Sequence, residues 1–468
     1  MIDTPHLDAL AALVGDRHLL VDPADKARYE IGARYDEGCA AAVVRPATTA
    51  EVSAVVAYAV AHGLTLVPQG GNTGLVGAAT PDISGTQLVL SLDRLNRRPV
   101  VDPTNRTVEV EAGVRLSQLN GLLAEHELFL PIDLGADPMI GGMIATNTGG
   151  ARYLRYGAMR RQVLGLEVVL PDAEGTVLDL RSGLRKDNSR LDLKQLFIGS
   201  CGALGIVTRA VLDVQRRPLQ AATALLVPAS DDAIPHLLGL VERGCGEYLS
   251  ALEGMSRNAM ARALGHVAQL RNPFARGEIP PYAILVELTR SWPAREGEAS
   301  LETVLEQVLG ELFEQEEPLL ADALMGRGEE LWALRHSLSE GLRASGHVIG
   351  FDLSLRRSDL VAFRREVAGV LGAEFPELAI CDFGHIADGG MHFNLVHPGS
   401  PDAGEIARVK DRVNDLVVSS YGGSFSGEHA LGRANAALYA RYTPARVRTL
   451  SHALRQVFGT GSVGSVAY

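Results

Sequence analysis

VPQGGNTGLVGA, residues 67–78, places glycines at 70, 71, 74 and 77 directly after a short apolar run. The run is neither the GxxxxGK of a P-loop nor the GxGxxG of a dinucleotide turn. Successive glycines can still turn consecutive backbone N–H groups inward, forming a concave nest that neutralises a pyrophosphate without a lysine. Two further stretches repeat the device: IGGMIATNTGGARYLRYG at 140–157 and FIGSCGALGIVT at 197–208. One such loop reads as well as ordinary turn glycines. Three in one region predict an extended ligand, larger than a single phosphate.

Around these loops the first two hundred residues alternate helical and strand patterns. A helix is expected in HLDALAALVG and another in TAEVSAVVAYAVAHG, with Thr49 ahead of Glu51 at its start and Gly63 at its stop. Strands are expected in LTLVP, QLVLSL, TVEVEAGV, LGLEVVL and GIVTRAVLDV. This is an α+β or α/β domain that holds a ligand with its loops. Beyond about residue 215 the runs ATALLVPA, YAILVEL and FDLSL alternate with helical segments, predicting a second α+β domain with an antiparallel sheet. The expected division is 1–215, 216–424, and a C-terminal segment 425–468 that completes the site. No internal repeat or low-complexity linker interrupts the chain.

With 468 residues, 46% of them hydrophobic and 21% charged, the composition is that of an ordinary globular enzyme. A formal charge of -12 argues against a nucleic-acid partner, which needs a basic stripe. No apolar run reaches the roughly 18 residues needed for a bilayer span, and the N-terminus lacks the lysines of a signal peptide, so a cytoplasmic location is expected. Four scattered cysteines with no CxxC spacing imply neither a disulfide framework nor a thiolate metal site.

The chemistry is concentrated in FGHIADGGMHFN, 383–394, and SGEH, 426–429. Read as a hairpin with the turn ADGG, the first stretch pairs Ile386 with Met391 and sets His385 opposite His392, Cβ atoms roughly 5 Å apart. Asn394 shares the His392 face because the strand period is two. Two imidazoles plus the carboxylate of Glu428 make three ligands, the number that leaves a catalytic zinc-type ion one open position. His429 then stands beside the metal as a base near neutral pH. The plainer alternative is a cross-strand histidine pair with two surface-loop residues.

Taken together, PQGGNTGLVG, VEAGV at 110–114, LPIDLGADPMIGGMIATNTGGARYLRYG and GSCGALGIVT resemble the FAD-binding domain of the vanillyl-alcohol oxidase and p-cresol methylhydroxylase superfamily. FGHIADGGMHFN and SGEHALG resemble its D-2-hydroxyacid dehydrogenase branch, which includes D-2-hydroxyglutarate and D-lactate dehydrogenases. The resemblance runs from about residue 40 to the end. It implies an α+β fold: a two-part FAD-binding domain of the p-cresol methylhydroxylase type and a substrate domain whose antiparallel sheet is covered by helices. It further implies that Pro68, Gly70, Gly71, Asn72, Thr73 and Gly74 wrap the FAD pyrophosphate. Gly141, Gly142, Thr146, Asn147, Gly149 and Gly150 would continue along the cofactor, with Gly202 and Ile206 near its flavin or ribityl side. Relatives with covalent flavin carry a histidine in the first loop or a cysteine elsewhere; neither of the first two loops has either, so noncovalent FAD is expected.

Oxidising a 2-hydroxy acid requires removal of the hydroxyl proton and of a hydride from C2. The resemblance implies a divalent metal, of zinc type, on His385, His392 and Glu428, with His429 as base and Asn394 bonding the substrate. It also implies Arg335 for the substrate carboxylate, whose two oxygens suit a planar guanidinium, and Ser339 in place of the usual threonine. The chain departs from the pattern at Gly350 and Asn435, where lysines are usual, and in the turn Ala387, Asp388, Gly389, Gly390. The lost cations weaken the case for a dicarboxylate; Arg343 and Arg356 are the replacements within the sequence. Two alternatives stay open: a flavin oxidase or dehydrogenase of another alcohol or sugar acid, and a decayed flavin-binding protein. The expected partners are a small 2-hydroxy acid, an unidentified electron acceptor and a second copy in a homodimer, with no nucleic acid and no transmembrane segment.

Overall fold

The computed structural model describes residues 2–34, 37–274, 277–466 and 468. Two compact units emerge: residues 1–149, 157–217 and 428–468 form the first, residues 150–156 and 218–427 the second. The architecture is α+β.

The first unit contains two larger sheets and a two-stranded pair, Leu128–Phe129 with Gln215–Arg216. In one of the larger sheets, β1 (Leu19–Leu20), β2 (Ala40–Val44), β3 (Leu66–Gln69) and β4 (Gln87–Ser91) lie in the order β1-β2-β4-β3, with the last three parallel. Helix α1 (Thr49–Ala61) packs on this sheet through Val52, Val55 and Val56. Its cap is Thr48, one residue ahead of the expected Thr49. The Thr48 hydroxyl accepts from Glu51 N–H while the Glu51 carboxylate accepts from Ala47 N–H, a reciprocal arrangement that a threonine inside the first turn could not make. The other larger sheet is antiparallel: β5 (Val100–Asp102), β6 (Thr107–Glu111), β7 (Val163–Val169), β8 (Val177–Asp179) and β9 (Ile206–Asp213), ordered β5-β6-β9-β7-β8.

The chain's end returns to this unit. Leu66 N–H donates to Ser462 O, Gly464 N–H to Leu66 O, and Ala434 N–H to Val76 O. A Cβ at Gly432 would stand 2.2 Å from Val76 O, so only glycine lets this segment lie against the first glycine loop.

The second unit is one antiparallel sheet with helices on both faces. Its strands are β10 (Gln220–Pro228), β11 (Leu249–Ser256), β12 (Tyr282–Arg290), β13 (Leu320–Gly326), β14 (His347–Ser354), β15 (Ala379–Ile380), β16 (Phe383–Gly384) and β17 (Gly390–His397). They run β13-β10-β12-β11-β16-β17-β14, with β15 also on β17. Alternation decides which helices each face meets: Ala224, Leu226, Ile284 and Val286 pack with helices 234–245, 301–313 and 360–374, while Leu225, Ala283 and Leu285 pack with 257–266 and 328–344. Because both faces are covered, β12 is buried along its whole length.

Three of the four cysteines are buried: burial pushes the thiol of Cys245 up to about 12, that of Cys381 up to about 11, and raises that of Cys201. Cys39 alone is exposed. Native protein at pH 8 should therefore release one fast equivalent with a thiol-disulfide reagent and four after denaturation; three fast equivalents would contradict the packing.

Candidate active site

In the first unit the three glycine loops meet. A Cβ at Gly71 would stand 3.3 Å from Met139 N, one at Gly70 3.4 Å from Met139 Cβ, and one at Gly202 3.5 Å from Pro68 Cγ. Gly141 opens α2 (Ile140–Thr146) and abuts Ala112, whose Cβ lies 2.6 Å from where its own would be. Gly74 and Gly142 instead have open space there. The loops thus touch one another on one side and present bare backbone on the other, as a dinucleotide cradle requires.

Strained backbone gathers in the same segments. Of six described non-glycine residues with positive φ, Asn72, Asn147, Cys201 and Ala430 fall in the three loops and the SGEHALG stretch. Asn147 ends α2 and accepts from Arg160 N–H; Asn72 Nδ2 donates to Ile31 O. Thr146 Oγ1 donates to Gly142 O, and Ile206, 2% exposed, opens β9. Asn435, standing where a lysine is usual, donates through Nδ2 to Ala430 O and accepts through Oδ1 from Gly432 N–H. Its amide is occupied in holding the turn.

In the second unit the hairpin register differs from the expected one. His392 is opposite Phe383, not His385. The chain leaves the ladder at Gly384, whose φ of 150° a side chain rarely adopts. The Ile386 and Asp388 N–H groups then turn back to Gly384 O and His385 O. His385 is consequently a turn residue. Its ring still lies beside that of His392, 5.3 Å between centroids and edge-on at 78°. Gly350 faces Asn394, and Asp352 faces His392, across the β14–β17 pair. Asn394 Nδ2 donates to His392 O.

Beneath the histidines lies a residue the sequence reading missed. Glu253, in the middle of β11 and 0% exposed, meets His385 Nδ1 at 2.6 Å through Oε1 and accepts from Arg335 Nε at 2.7 Å through Oε2. Burial alone would raise its carboxyl, but the His385 and Arg335 cations hold it down to about 2. An ionised carboxylate only accepts, so Nδ1 carries a proton whether His385 is cationic or neutral, and in the neutral ring the lone pair lies on Nε2. Arg335 belongs to α3 (Gly328–Ala344), with its guanidinium carbon 4.8 Å from the Phe383 ring centroid. Ser339, one turn on, is exposed, as are Arg343 and Arg356.

The SGEH segment straddles the division between units. Ser424 and Ser426 form bridges to Ser354 and Asp352, and Gly427 N–H donates to Asp352 O at 3.1 Å. Glu428 and His429 follow as the first residues of the last segment of the first unit, their side chains 4.0 Å apart. A separate cluster of Glu377, His397 and Glu405 suits a cation poorly. There, Nδ1 accepts from Gly399 N–H, leaving the neutral ring's proton on the nitrogen that faces Glu405.

The FAD binding domain family matches residues 40–181, and the C-terminal domain of FAD linked oxidases matches 218–459. The chain belongs to the FAD linked oxidases and is an FAD-dependent oxidoreductase. Among its relatives, the D-2-hydroxyglutarate dehydrogenase of Stutzerimonas stutzeri is 32% identical, over 92% of this chain and 91% of that one. The mitochondrial enzyme of that name from Rattus norvegicus is 35% identical, over 85% of this chain and 72% of that one. The probable mitochondrial enzyme from Oryza sativa subsp. indica is 36% identical, over 85% and 69%. The fold is that of p-cresol methylhydroxylase with substrate bound, at a TM-score of 0.74, 17% identity and coverage of 97% of this chain and 94% of that one. An alkyldihydroxyacetonephosphate synthase superposes at 0.74 and 17% identity, covering 98% and 84%. No helix among the described residues is long and apolar enough to cross a membrane.

Proposed function

We propose that this chain oxidises a D-2-hydroxy acid, of the hydroxyglutarate or lactate kind, to the 2-oxo acid. The observation that carries the reading is the meeting of His385 and Arg335 on one buried carboxylate, with His392 alongside. FAD, bound noncovalently on the glycine loops, supplies the acceptor for the C2 hydride. Pro68, Gly70, Gly71, Asn72, Thr73, Gly74, Gly141, Gly142, Thr146, Asn147, Gly149, Gly150, Gly202 and Ile206 would hold it. A divalent ion of zinc type, held by His385, His392 and Glu428, supplies polarisation of the substrate hydroxyl. The donor set fits such an ion: His385 offers an oriented ring nitrogen, and the Gly427 bond to Asp352 ties the chain leading into Glu428 to the strand partner of His392.

Arg335 binds the substrate carboxylate, its plane set by Glu253 and Phe383, with Ser339 one turn on. His429 takes the hydroxyl proton, and Asn394 hydrogen-bonds the substrate. A cytoplasmic homodimer passing electrons to a separate acceptor completes the reading.

The decisive experiment is anaerobic bleaching of the bound flavin by a panel of D- and L-hydroxy acids. Bleaching by D-2-hydroxyglutarate or D-lactate, with the L-isomers inert, is the expected result. No bleaching by any hydroxy acid would sink the reading and leave a flavin-binding protein without turnover. The register favours testing monocarboxylates seriously, since Gly350 gives Asn394 a neighbour with no charge. Thorough chelation should remove the activity and leave the flavin absorbance in place, with Zn2+ or Co2+ restoring turnover. Activity that survives chelation excludes the ion.

A further inference from the structure

Glu253 is a costly residue where it stands. An isolated carboxylate in an apolar interior costs several kcal/mol unless its charge is met, and an apolar residue of similar size is often as stable as a buried ion pair. Every residue of β11 is buried, and Glu253 is the one charge in LSALEGMS. Stability alone gives little reason to keep it. Its two oxygens, however, are divided between two groups of different duty: Oε1 on the Nδ1 of His385, Oε2 on the Nε of Arg335.

We infer that Glu253 is the positioning residue of this active site, fixing the ring nitrogen that His385 offers to a divalent ion and, through its other oxygen, the plane in which Arg335 meets a substrate carboxylate. The inference rests on the metal and substrate roles proposed above. A histidine ligand is held in tautomer and orientation by what its second nitrogen meets, and the loss of such a partner typically weakens metal binding about 10–100-fold. The Arg335 side acts in the same way. With Nε committed and Phe383 against its carbon, the guanidinium has one orientation left in which its terminal nitrogens can pair with two oxygens. One strand position thereby couples the ion site to the carboxylate site.

The test is a Co2+ titration of the FAD-loaded, chelator-stripped protein, followed by its visible absorption, with wild type beside Glu253→Gln and Glu253→Asp. Gln keeps the shape but turns an N–H toward one of two donors; Asp keeps the charge but withdraws it by one methylene. The expected result is a Co2+ dissociation constant raised at least tenfold in the variants, together with a raised KM for the hydroxy acid that bleaches the flavin, while FAD content is unchanged. A merely structural Glu253 would lower the melting temperature and leave both constants at their wild-type values, which overturns the proposal. If Gln does not fold, Asp carries the same comparison. Failure of the metal reading is separately visible, as wild-type protein with no saturable Co2+ site; a wild-type KM in the variants then overturns what remains.

Discussion

Arg335→Ala should lose about three orders of magnitude in kcat/KM while retaining FAD. A guanidinium pairing both oxygens of a carboxylate away from water is worth several kcal/mol, and each ~1.4 kcal/mol is a factor of ten. The loss should fall on KM and kcat together, because the same contact places C2 of the substrate. Stability should fall as well, since the variant leaves Glu253 facing His385 alone in a fully buried position. Breaking a buried pair in this way typically costs about 3–5 kcal/mol, readable in a urea titration of the flavin-loaded protein. Arg335→Lys separates the two effects: it keeps a cation near Glu253 and recovers part of the stability, but not the planar fork. A kcat/KM within a few-fold of wild type in the alanine variant would remove Arg335 from the substrate site.

His429→Ala should keep the flavin and stop its reduction. General-base assistance contributes about 10^2–10^4-fold, and a 2-hydroxy acid cannot surrender its C2 hydride productively unless the hydroxyl proton also leaves. Rapid-mixing measurement of flavin bleaching under nitrogen reads that step directly, free of the electron acceptor. Wild-type bleaching rates in the variant would exclude His429 as the base. Small exogenous amines or imidazole should restore part of the rate if the vacated space admits them. The two variants differ in one further respect: Arg335 is paired with the fully buried Glu253, so its removal should lower the melting temperature more than that of His429.

How far the sequence disclosed this arrangement differs from element to element. The glycine loops were legible because three of them recur in one region, whereas apolar periodicity left the first domain open between α+β and α/β and the resemblance supplied the α+β fold. The histidine hairpin was legible as a hairpin but not in its register. A strand's pairing is set by where the chain leaves the ladder, and Gly384 does that two residues early with a backbone angle that no side-chain pattern announces. The cap at Thr48 in place of Thr49 is a similar one-residue choice between two adjacent threonines. Glu253 left a signal that went unread: a lone charge inside the otherwise uncharged eight-residue run LSALEGMS. Its partners lie 82 and 132 residues further along, and a pairing over that distance exists only once the sheet is assembled.

The return of the chain's last forty residues to the first unit has a consequence for how the polypeptide is made. Leu66 N–H donates to Ser462 O and Leu66 O accepts from Gly464 N–H, almost four hundred positions downstream. A ribosome must therefore extend the chain past residue 464 before these bonds of the glycine-loop half can form, and contacts of such wide sequence separation form slowly. Nascent fragments ending before residue 428 should remain dependent on chaperones, and an isolated N-terminal half should not be a ready-made flavin carrier.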